Sequence, residues 1–401
     1  MEPAPPQAQK TRPRAGLGVV FSTVLLDLLG FGMLLPLLPF YSKEFGASDS
    51  QVIFLFASYS LAQFVCAPLW GRLSDRIGRR PVMLVSIAGD VFAYLLLAWA
   101  QTYSLILLAR ILSGVAAANF SIGQAWIADQ TTGQERSRAL GLLGAAFGLG
   151  FVIGPAVGGI VGNLFGNTAV PLLAAGLAVL NFIYAWFRFD ESRPAEATTG
   201  TGESWFSLRS LTDAVAAPKV GALLGLLWLA TFAFANLEST LALFCANRFG
   251  FDVRSTAYLL TFVGLVNASI QGGALGPLVR RYGERRLAVV GLWVAGAGLA
   301  TSAFATNLPI LIVAMGLTAL GVGLHNPTLY GLISRATAED RQGSVLGVAR
   351  GLSALARGVG PLTGEFFFTR FGETSPFSFG ALTMAGAGIL AMTYFFRHRD
   401  P

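Results

Sequence analysis

The stretch GLGFVIGPAVGGIVG, from Gly148 to Gly162, places six glycines and one proline among otherwise apolar residues. Glycine and proline are the poorest helix formers in water, and so apolar a stretch is equally unsuited to an exposed loop. Both difficulties disappear in lipid. There, neighbouring helices satisfy the backbone groups that proline frees, and small residues let helices approach closely. The stretch therefore predicts a membrane helix with a bend at Pro155.

The glycines of this stretch predict how the helix packs. Four of them recur at every fourth position and share one helix face: Gly150, Gly154, Gly158 and Gly162. We expect this face to be a packing surface. Gly159 lies about 100° round the helix from Gly158, so alanine is expected to be milder there than leucine at Gly154 or Gly158.

The composition of the whole chain indicates the same environment. Of its 401 residues, 54% are hydrophobic and 12% are charged, whereas soluble domains have about 25% charged residues. Uncharged runs of about 18 residues or more indicate membrane helices. We predict an all-α membrane protein with twelve transmembrane helices, at 17–40, 51–70, 82–100, 104–128, 138–162, 168–187, 221–245, 256–278, 287–305, 308–333, 343–368 and 376–396.

The sequence repeats itself at an offset of about half its length. The run GRLSDRIGRRP at 71–81 returns as GPLVRRYGERR at 276–286, 205 positions later. Two further landmarks return in the same order, at offsets of 205 and 206: Glu135-Arg136 as Asp340-Arg341, and Gly154-Pro155 as Gly360-Pro361. Three landmarks in one order indicate two pseudo-symmetric six-helix halves, the layout of transporters whose site lies at the membrane midplane.

We therefore divide the chain into a tail at 1–16, a six-helix bundle at 17–187, a linker at 188–220, a second six-helix bundle at 221–396 and a tail at 397–401. The linker ends in SWFSLRSLTDAV. This segment predicts either a short helix lying on the inner leaflet or a flexible connection. In the first case four residues face lipid: Trp205, Phe206, Leu208 and Leu211.

The net charge of +7 raises the question of nucleic-acid binding, but the positions of the basic residues favour another explanation. Most of the 28 Lys and Arg residues fall in the tails and the even-numbered connections between spans. The odd-numbered connections hold Lys43, Arg248, Arg254 and Arg370. The positive-inside rule then predicts that both termini and the even-numbered connections are cytoplasmic. The expected partner is a lipid bilayer and not a nucleic acid.

Three motifs of this chain resemble those of one transporter family. GRLSDRIGRRP resembles the loop between helices two and three of the major facilitator superfamily, and LLARILSGVAAA, with Arg110, is similar to its fourth-helix motif. GLGFVIGPAVGG resembles the fifth-helix motif that marks its drug–proton antiporters. The residues of that motif are Gly150, Gly154, Pro155, Gly158 and Gly159. The resemblance covers nearly the whole chain and implies the major facilitator fold and proton-driven drug efflux.

Within that family the chain is most similar to the twelve-helix branch that contains the tetracycline–proton antiporters. LLDLLGFGMLLPLLP, AWIAD, GERR and EDRQG occur where those proteins carry similar runs, and their first-helix carboxylate is present as Asp27. Their third-helix acid aligns with Ala93, and Asp90 lies one turn earlier. Their ninth-helix acid aligns with Ala295 and their eighth-helix histidine with Asn267. The resemblance therefore implies efflux without implying tetracycline as the substrate.

Seven ionisable side chains fall within the predicted spans: Asp27, Asp90, Arg110, Glu238, Arg350, Arg357 and Glu365. Each costs roughly 2.5–3.5 kcal/mol at the bilayer centre, so all seven facing lipid would cost on the order of 20 kcal/mol. This exceeds the net stability of an ordinary fold, and we expect these groups to face one another or a water-filled cavity. Glu365 is close enough to the outer end of its span to reach the interface. Ion pairing competes with substrate contact as the role of Arg350 and Arg357.

Asp27, Asp90 and Glu238 are the candidates for carrying protons, with Arg110 as their coupling partner. A carboxyl group among apolar side chains loses the hydration that favours its charged form, so it can take up and release a proton near neutral pH. A nearby arginine opposes this effect, and Arg110 is the expected partner of Asp27. The alternative for Asp27 is a structural pair with Arg110 or with a helix amide.

Polar residues of four spans form the candidate substrate cavity. They are Ser113, Ser121 and Gln124 of the fourth span, Asn236 of the seventh, Asn267 and Gln271 of the eighth, and His325 and Asn326 of the tenth. The residues of the fourth span are expected to form one polar stripe with Arg110. The alternative for each is an interhelical hydrogen bond worth about 0.6 kcal/mol, which we expect for half of them.

The loop motif predicts a conformational switch. Its glycines and arginines make a tight, positive connection: Gly71, Arg72, Arg76, Gly78, Arg79 and Arg80. Asp75 is the one acid of the motif, and an acid is stabilised at a helix N-terminus. The family resemblance implies that this helix is the eleventh, starting near Gly343, and that the contact holds the outward-facing state. Asp129 is expected to pair with the loop arginines. The alternative is that the loop charges set topology alone.

The sequence as a whole predicts a proton-coupled exporter of small lipophilic compounds, cations included, working by alternating access as a monomer in a bacterial inner membrane. Its expected partners are a small-molecule substrate, protons and the bilayer, with no cofactor or metal. A proton-coupled importer and a lipid or lysolipid transporter of the same fold are the alternatives. An enzyme is least favoured, because the sequence has two histidines and neither a metal-binding cluster nor a nucleophile elbow.

Overall fold

A computed structural model of the chain describes residues 14–117, 119–131, 133–192, 208–338 and 342–397. Within these residues the regular secondary structure is helical, without strands. The helices are α1 (Arg14–Glu44), α2 (Asp49–Ile77), α3 (Arg79–Ala98), α4 (Tyr103–Ala116), α5 (Asn119–Gln130), α6 (Gly133–Phe165), α7 (Ala169–Arg188), α8 (Leu208–Ala216), α9 (Pro218–Phe249), α10 (Val253–Ser269), α11 (Leu275–Tyr282), α12 (Glu284–Ala303), α13 (Leu308–Arg335), α14 (Gln342–Phe371) and α15 (Ser375–Arg397). A π-helical turn, Ile270–Ala274, joins α10 to α11.

These helices account for the twelve predicted spans. Eleven segments of the described residues are long and apolar enough to cross a membrane. The predicted span at 343–368 corresponds to α14, which is helical over 30 residues but falls outside those eleven because glycines and charged residues lower its hydropathy. The fourth span contains both α4 and α5, and the eighth runs from α10 through the π turn to α11.

The two halves pack their helices in corresponding pairs. In the first half α1 packs on α6, α2 on α4 and α3 on α7; in the second half α9 packs on α14, α10 on α13 and α12 on α15. The main contacts between the halves, α2 on α14 and α6 on α10, follow the same symmetry. The pseudo-symmetric fold is thus confirmed. We call the face at which α2, α4, α10 and α13 begin the outer face, and the opposite one the inner face.

The turns between helices repeat with the same offset. In the described part of the chain, six glycines have φ between +68° and +102°, a region that other residues rarely adopt. They form three pairs, 204 to 206 positions apart: Gly46 with Gly250, Gly78 with Gly283, and Gly166 with Gly372. The helix caps at the outer face are paired too. Side chains of Ser48 and Asp252 cap α2 and α10, and those of Thr102 and Asn307 cap α4 and α13.

The glycine face of α6 packs on α1, as predicted. A Cβ added at Gly154 would lie 2.8 Å from the Cα of Gly32, and one at Gly158 would lie 2.8 Å from the Cα of Met33. Carbon atoms that are not bonded prefer separations of about 3.5–4.0 Å. The backbones of α1 and α6 are therefore in direct contact, and the absence of side chains on this face is what permits it.

Gly159 has a different neighbour, which corrects the expectation that alanine is mild at this position. A Cβ on Gly159 would overlap the Cβ of Ala257 on α10. Because α10 belongs to the second half, Gly159 is a point of close approach between the halves. Helical spacing alone showed that Gly159 leaves the α1 face, but not that another helix covers it.

A short helix, α8, lies in the predicted linker and packs against α9 and α14. Ala214 is buried with the core of the second half, and the backbone of Val215 lies against Gly221. Residues 208–216 are therefore helical, and their position on the inner leaflet stays a prediction. Trp205 and Phe206, like residues 1–13 and 398–401, lie outside the described residues, and only the backbone is described for Leu208 and Leu211.

The fourth span is not one continuous helix, so the predicted single polar stripe along it is wrong. α4 ends at Ala116, Ala117 has φ −68° and ψ 55°, and α5 begins at Asn119. The common face of Arg110 and Ser113 therefore does not continue to Ser121 and Gln124. The break also leaves carbonyl groups of α4 without partners inside the helix. Side chains of α2 and α3 donate to them: Trp70 to Val115, Ser86 to Ala116 and Gln63 to Ala117.

Candidate functional site

Two carboxyl groups lie together inside the first half, where α1 and α3 face the start of α5. The side chain of Asp27 is in hydrogen-bonding contact with Asp90 and Asn119, and Asn119 Nδ2 donates to Asp90 Oδ2 over 2.9 Å. Asp90 is 4% exposed and Asn119 1%. Two carboxyl groups this close disfavour being charged at the same time, because like charges repel. The structure thus brings Asp27 and Asp90 together in one carboxyl pair.

Arg110 lies beside this pair without joining it. Its Nη2 donates to Ser113 Oγ over 2.9 Å, and its guanidinium carbon lies 5.3 Å from the ring centroid of Tyr59. Arg110 interacts with Asp90 electrostatically, whereas the direct contacts of Asp27 are with Asn119 and Asp90. The contacts of the described residues therefore do not support a structural pair of Arg110 with Asp27, which was one alternative for Asp27, and the coupling role of Arg110 stays a prediction.

A narrow cavity lies between the two halves and reaches Arg110 and Tyr59. Its apolar wall comes mainly from α1 and α2, with Phe31, Leu34 and Phe56 among the lining side chains. The polar lining residues are Tyr59, Ser60, Gln63, Arg110, Glu238, Ser239 and Arg357. Apolar walls with a few polar groups are typical of sites for small organic molecules.

Glu238 belongs to the wall of this cavity. Its Oε1 is buried and, within the described residues, has no hydrogen-bond partner. Burying a polar atom without a partner is costly, and a cavity supplies room for one. Arg357 of α14 lines the same cavity. The cavity is therefore lined by one acidic and two basic side chains.

The lining of this cavity, as far as the chain is described, includes none of the eight residues predicted for the substrate. Asn236 donates to the Phe232 carbonyl over 2.8 Å and accepts from Thr363 Oγ1 of α14 over 3.1 Å. It therefore forms an interhelical hydrogen bond, which was the alternative for this residue.

The other predicted substrate residues lie elsewhere in the bundle. Ser113 accepts from Arg110, and Gln271 donates to Asn267 on the same helix face. His325 is buried where α13 packs on Gly291 of α12. Ser121, Gln124 and Asn326 are partly buried.

Contacts between the halves lie on the outer side of the cavity. Ser50 Oγ at the start of α2 donates to Glu365 Oε1 of α14 over 2.6 Å, so Glu365 reaches across the interface between the halves. An apolar cluster beside it joins Ala47, Val52 and Ile53 of the first half to Leu243 and Phe368 of the second. Towards the inner face, Arg350 of α14 lies over the ring of Phe120 of α5, 3.9 Å from its centroid.

The loop motif forms a network around a buried arginine. Arg79 is 1% exposed, and its guanidinium lies 2.7 Å from Asp75 Oδ1 and 3.1 Å from Asp129 Oδ2. Its Nη1 donates to Ser74 Oγ over 2.5 Å. The expected pairing of Asp129 with a loop arginine is therefore confirmed. Glu191 accepts from the backbone N–H groups of Arg79 and Arg80, so the start of the linker caps α3 at Gly78.

The other members of the loop motif have separate surroundings. Arg80 Nη2 donates to the Trp186 carbonyl over 2.7 Å. Gly71 has open space on its Cβ side, and Arg76 is exposed in the last turn of α2. The buried part of the motif is thus Ser74 and Arg79, with Asp75 partly buried beside them.

Three residues near the carboxyl pair were missed by the sequence analysis: Asn119, Tyr59 and Tyr94. Both tyrosines interact electrostatically with Asp27, Asp90 and Arg110. Asn119 was recognisable in principle, because it is a polar residue in an apolar run between Arg110 and Asp129. On a continuous helix Asn119 would lie on a different face from Arg110. The break in the fourth span is what brings Asn119 to the carboxyl pair.

A family model described as Major Facilitator Superfamily matches residues 20–276 and 272–401. The chain is 32% identical over 352 residues to the class C tetracycline resistance protein of Escherichia coli, which covers 86% of this chain and 87% of that protein. It is 31% identical over 412 residues to major facilitator superfamily domain-containing protein 10 of Bos taurus, with 90% and 89% covered.

Solved structures give the same result for the fold. The crystal structure of the human organic anion transporter MFSD10 (TETRAN) superposes with a TM-score of 0.75 at 25% identity, covering 95% of this chain and all of that one. A POT family transporter in complex with a thioalcohol-conjugated peptide superposes with a TM-score of 0.78 at 12% identity, covering 96% and 97%.

Proposed function

Since this chain belongs to the major facilitator superfamily, we propose that it exports small lipophilic compounds in exchange for protons. The observation that carries the proposal is the buried pair of Asp27 and Asp90 beside a cavity between the halves. The pair supplies a proton-binding group, and the cavity marks the place between the halves where a substrate would bind. Similarity to tetracycline resistance proteins over most of the chain supports a drug-like substrate and the outward direction.

The electrostatics around the pair suit a coupling role. Arg110 and Tyr59 stand both in the cavity wall and in the surroundings of the pair. A substrate in the cavity therefore meets groups whose charge and hydrogen bonds depend on the proton. Competition of this kind links the two binding events, because each ligand alters the affinity for the other by the same factor.

The cavity favours lipophilic compounds with one charged or strongly polar group. Phe31, Leu34 and Phe56 give the apolar surface, and Glu238 gives an acidic oxygen without a hydrogen-bond partner in the described residues. Cations fit Glu238. Organic anions are a second candidate, because Arg110 and Arg357 line the same cavity and one solved structure of similar fold is an organic anion transporter.

The same features give the orientation of the protein in the membrane and the contact that opens during the proposed cycle. We place both termini and the inner face in the cytoplasm of a bacterial cell, and we place the divisions of the chain at 17–187 and 221–396. The contact of Ser50 with Glu365 then closes the outside, and transport requires this contact to open while the inner side closes. One chain contains both halves, so a monomer suffices.

Reconstituted vesicles with imposed pH gradients test direction and coupling together. The probe is a quaternary lipophilic cation, which a pH gradient cannot trap by protonation. We expect an acidic interior to drive its accumulation, because protons leaving the vesicle exchange for substrate entering it. Protein-free vesicles are the control. Accumulation with an acidic exterior alone would overturn antiport in favour of an importer, and transfer of labelled lysolipid without dependence on protons would favour a lipid transporter.

Charge selectivity is tested with a matched pair of probes of similar size, one cationic and one anionic. We expect Glu238→Gln to reduce cation transport and to leave anion transport unchanged or higher. Asp213→Asn, at an exposed acid of α8, is the control. If wild-type protein carries the anion alone, the cation assignment is wrong and organic anions are the substrate class.

A further inference from the structure

The break in the fourth span is held by contacts from outside that span. Trp70 Nε1 donates to the Val115 carbonyl over 2.5 Å, and Gln63 Nε2 donates to the Ala117 carbonyl over 3.4 Å. Ser86 donates its hydroxyl to the Ala116 carbonyl. Such donors are what permits irregular backbone at membrane depth.

The residues at the break do not favour it by themselves. Ala116 and Ala117 are of the residue type with the highest helix propensity. The local sequence favours a continuous helix, and hydrogen bonds from three side chains of neighbouring helices stabilise the break instead. The position of α5 relative to α4 therefore depends on tertiary contacts, and a change in those contacts can move it.

Asn119, the first residue of α5, contacts the carboxyl pair. Its Nδ2 donates to Asp90, and its Oδ1 is buried with no hydrogen-bond partner in the described part of the chain. An asparagine side chain has both donors and an acceptor, whereas a carboxyl group gains a donor when it is protonated. Asn119 can therefore donate to the charged pair and accept from the protonated pair, by turning its amide.

The next residue along α5 carries the contact with the other half. The Arg350 guanidinium lies 3.9 Å from the centroid of the Phe120 ring and 5.7 Å from that of Tyr330. Tyr330 in turn shares a 3.2 Å hydrogen bond with Ser353 of α14. Neighbouring residues of α5 thus contact the proton-binding pair and the second half of the protein.

We propose that Asn119 is a positioning residue that couples the protonation state of the Asp27–Asp90 pair to the contact between Phe120 and Arg350. This rests on the proposed function, in which the pair carries the transported proton. The charged pair accepts from Asn119 and holds α5 with its Phe120 ring under Arg350. Protonation replaces that charged acceptor, the amide of Asn119 turns, and α5 moves with Phe120 away from Arg350.

Other ionisable groups face the pair and contribute to its titration. Tyr94 of α3, Arg110 of α4 and Tyr59 of α2 interact with it electrostatically, and Arg357 of α14 interacts in the same way with Tyr59. Asn119 is distinct from these groups because it does not titrate. It converts a change of charge into a change of hydrogen bonding at the start of one short helix.

The experiment compares Asn119→Ala with Asn181→Ala. Asn181 is a matched control: it is 3% exposed and accepts a hydrogen bond from Thr23 over 3.1 Å in the same half. A reporter cysteine replaces Leu69, which is 57% exposed in the inner part of α2, after Cys66 and Cys245 are changed to serine. Three quantities are measured: substrate exchange at equal pH, accumulation driven by a proton gradient, and the labelling rate of the cysteine in acidic and alkaline buffer.

We expect Asn119→Ala to retain exchange, to lose proton-driven accumulation and to lose the pH dependence of labelling. Asn119→Gln should restore part of that dependence, and Asn181→Ala should match the wild type. Phe120→Leu should reproduce the loss, whereas Phe120→Tyr, which keeps the ring, should not.

Three results would overturn the proposal. They are an unchanged pH dependence in Asn119→Ala, a loss of exchange as well as accumulation in that variant, and equal effects of alanine and glutamine at this position. Failure of the proposed function looks different, because the wild type itself would then accumulate nothing under a pH gradient. The labelling experiment needs no substrate, so it still decides the role of Asn119 in that case.

Discussion

Gly158 lies directly against the backbone of Met33, so that a Cβ on Gly158 would be 2.8 Å from the Met33 Cα and closer still to its carbonyl oxygen. A backbone atom cannot turn aside as a flexible side chain can. The contact therefore fixes the distance between α1, which carries Asp27, and α6, which also contacts the second half.

The first prediction is that Gly158→Leu destabilises the protein and stops transport. Overpacking of this kind costs about 1–3 kcal/mol. Here it also displaces α1, and Asp27 with it, from Asp90 of α3. Gly154→Leu should act alike, since its Cβ would meet Gly32. Gly148→Ala is the matched control, because no other atom lies within 4 Å of a Cβ there. Thermal unfolding in detergent measures the effect, and equal stability of all three variants would contradict the packing role.

The second prediction is that Gly159→Ala favours opening of the outer face. Its methyl group would overlap Ala257 of α10 and push the halves apart there, while the α1 contact stays intact. Gly162→Ala is the control, since its nearest neighbour would lie at an ordinary 3.5 Å. Cysteines lining the outer side should label faster in Gly159→Ala. If Gly159→Ala and Gly162→Ala label equally fast, α10 shifts to accommodate the methyl group and the outer face does not open.

The third prediction is that Asp27→Asn abolishes proton-driven transport and leaves folding intact. Asparagine keeps the size of the side chain and can still hydrogen-bond Asn119, but it cannot carry the proton. Accumulation in vesicles under a pH gradient should fall to the protein-free level, with an unchanged unfolding temperature. Asp213→Asn serves as the control. Wild-type uphill transport by Asp27→Asn would remove this residue from the coupling role.

The fourth prediction is that Asp75→Asn shifts the protein towards the inward-facing state without altering its substrate site. A charge at a helix end is worth about 0.3–1 kcal/mol, and up to about 2 when partly buried. About 1.4 kcal/mol changes a two-state ratio tenfold. Transport should fall, equilibrium binding in detergent should change little, and cysteines lining the inner side should label faster.

Asp129→Asn is the informative control for that prediction, because both Asp75 and Asp129 pair with the buried Arg79. Removing either carboxylate leaves Arg79 with the other. If the two variants shift the labelling equally, Asp75 acts through Arg79 and not through the N-terminus of the helix near Gly343.

The sequence predicted the fold well because the fold depends on local signals. The glycine period in α6 fixed the packing of its face, and the repeat of GRLSDRIGRRP located the two halves. These signals need no knowledge of which helices are neighbours. The contact of Gly154 with Gly32 follows from them as soon as α1 and α6 are adjacent.

The site was predicted less completely, because it depends on neighbours distant in sequence. Ala116 and Ala117 do not themselves break a helix; Trp70, Ser86 and Gln63 stabilise the break from α2 and α3. The same reason explains Asn236, which is polar, buried and central in its span but faces Thr363 of α14 and not the cavity. A polar residue in a membrane helix indicates a partner, and only the packing decides whether that partner is another helix or a substrate.

The six glycines with positive φ come in pairs across the halves, as expected if one six-helix gene was duplicated and joined to itself. Three ionisable groups of the membrane-spanning helices are not paired in this way. At the offset of 205, Asp27, Asp90 and Arg110 correspond to Phe232, Ala295 and Met315, all buried and apolar. The turns are thus common to both halves, whereas these three groups belong to the first half alone. In the proposed cycle the proton binds to the first half, and the second half responds through the interface between them.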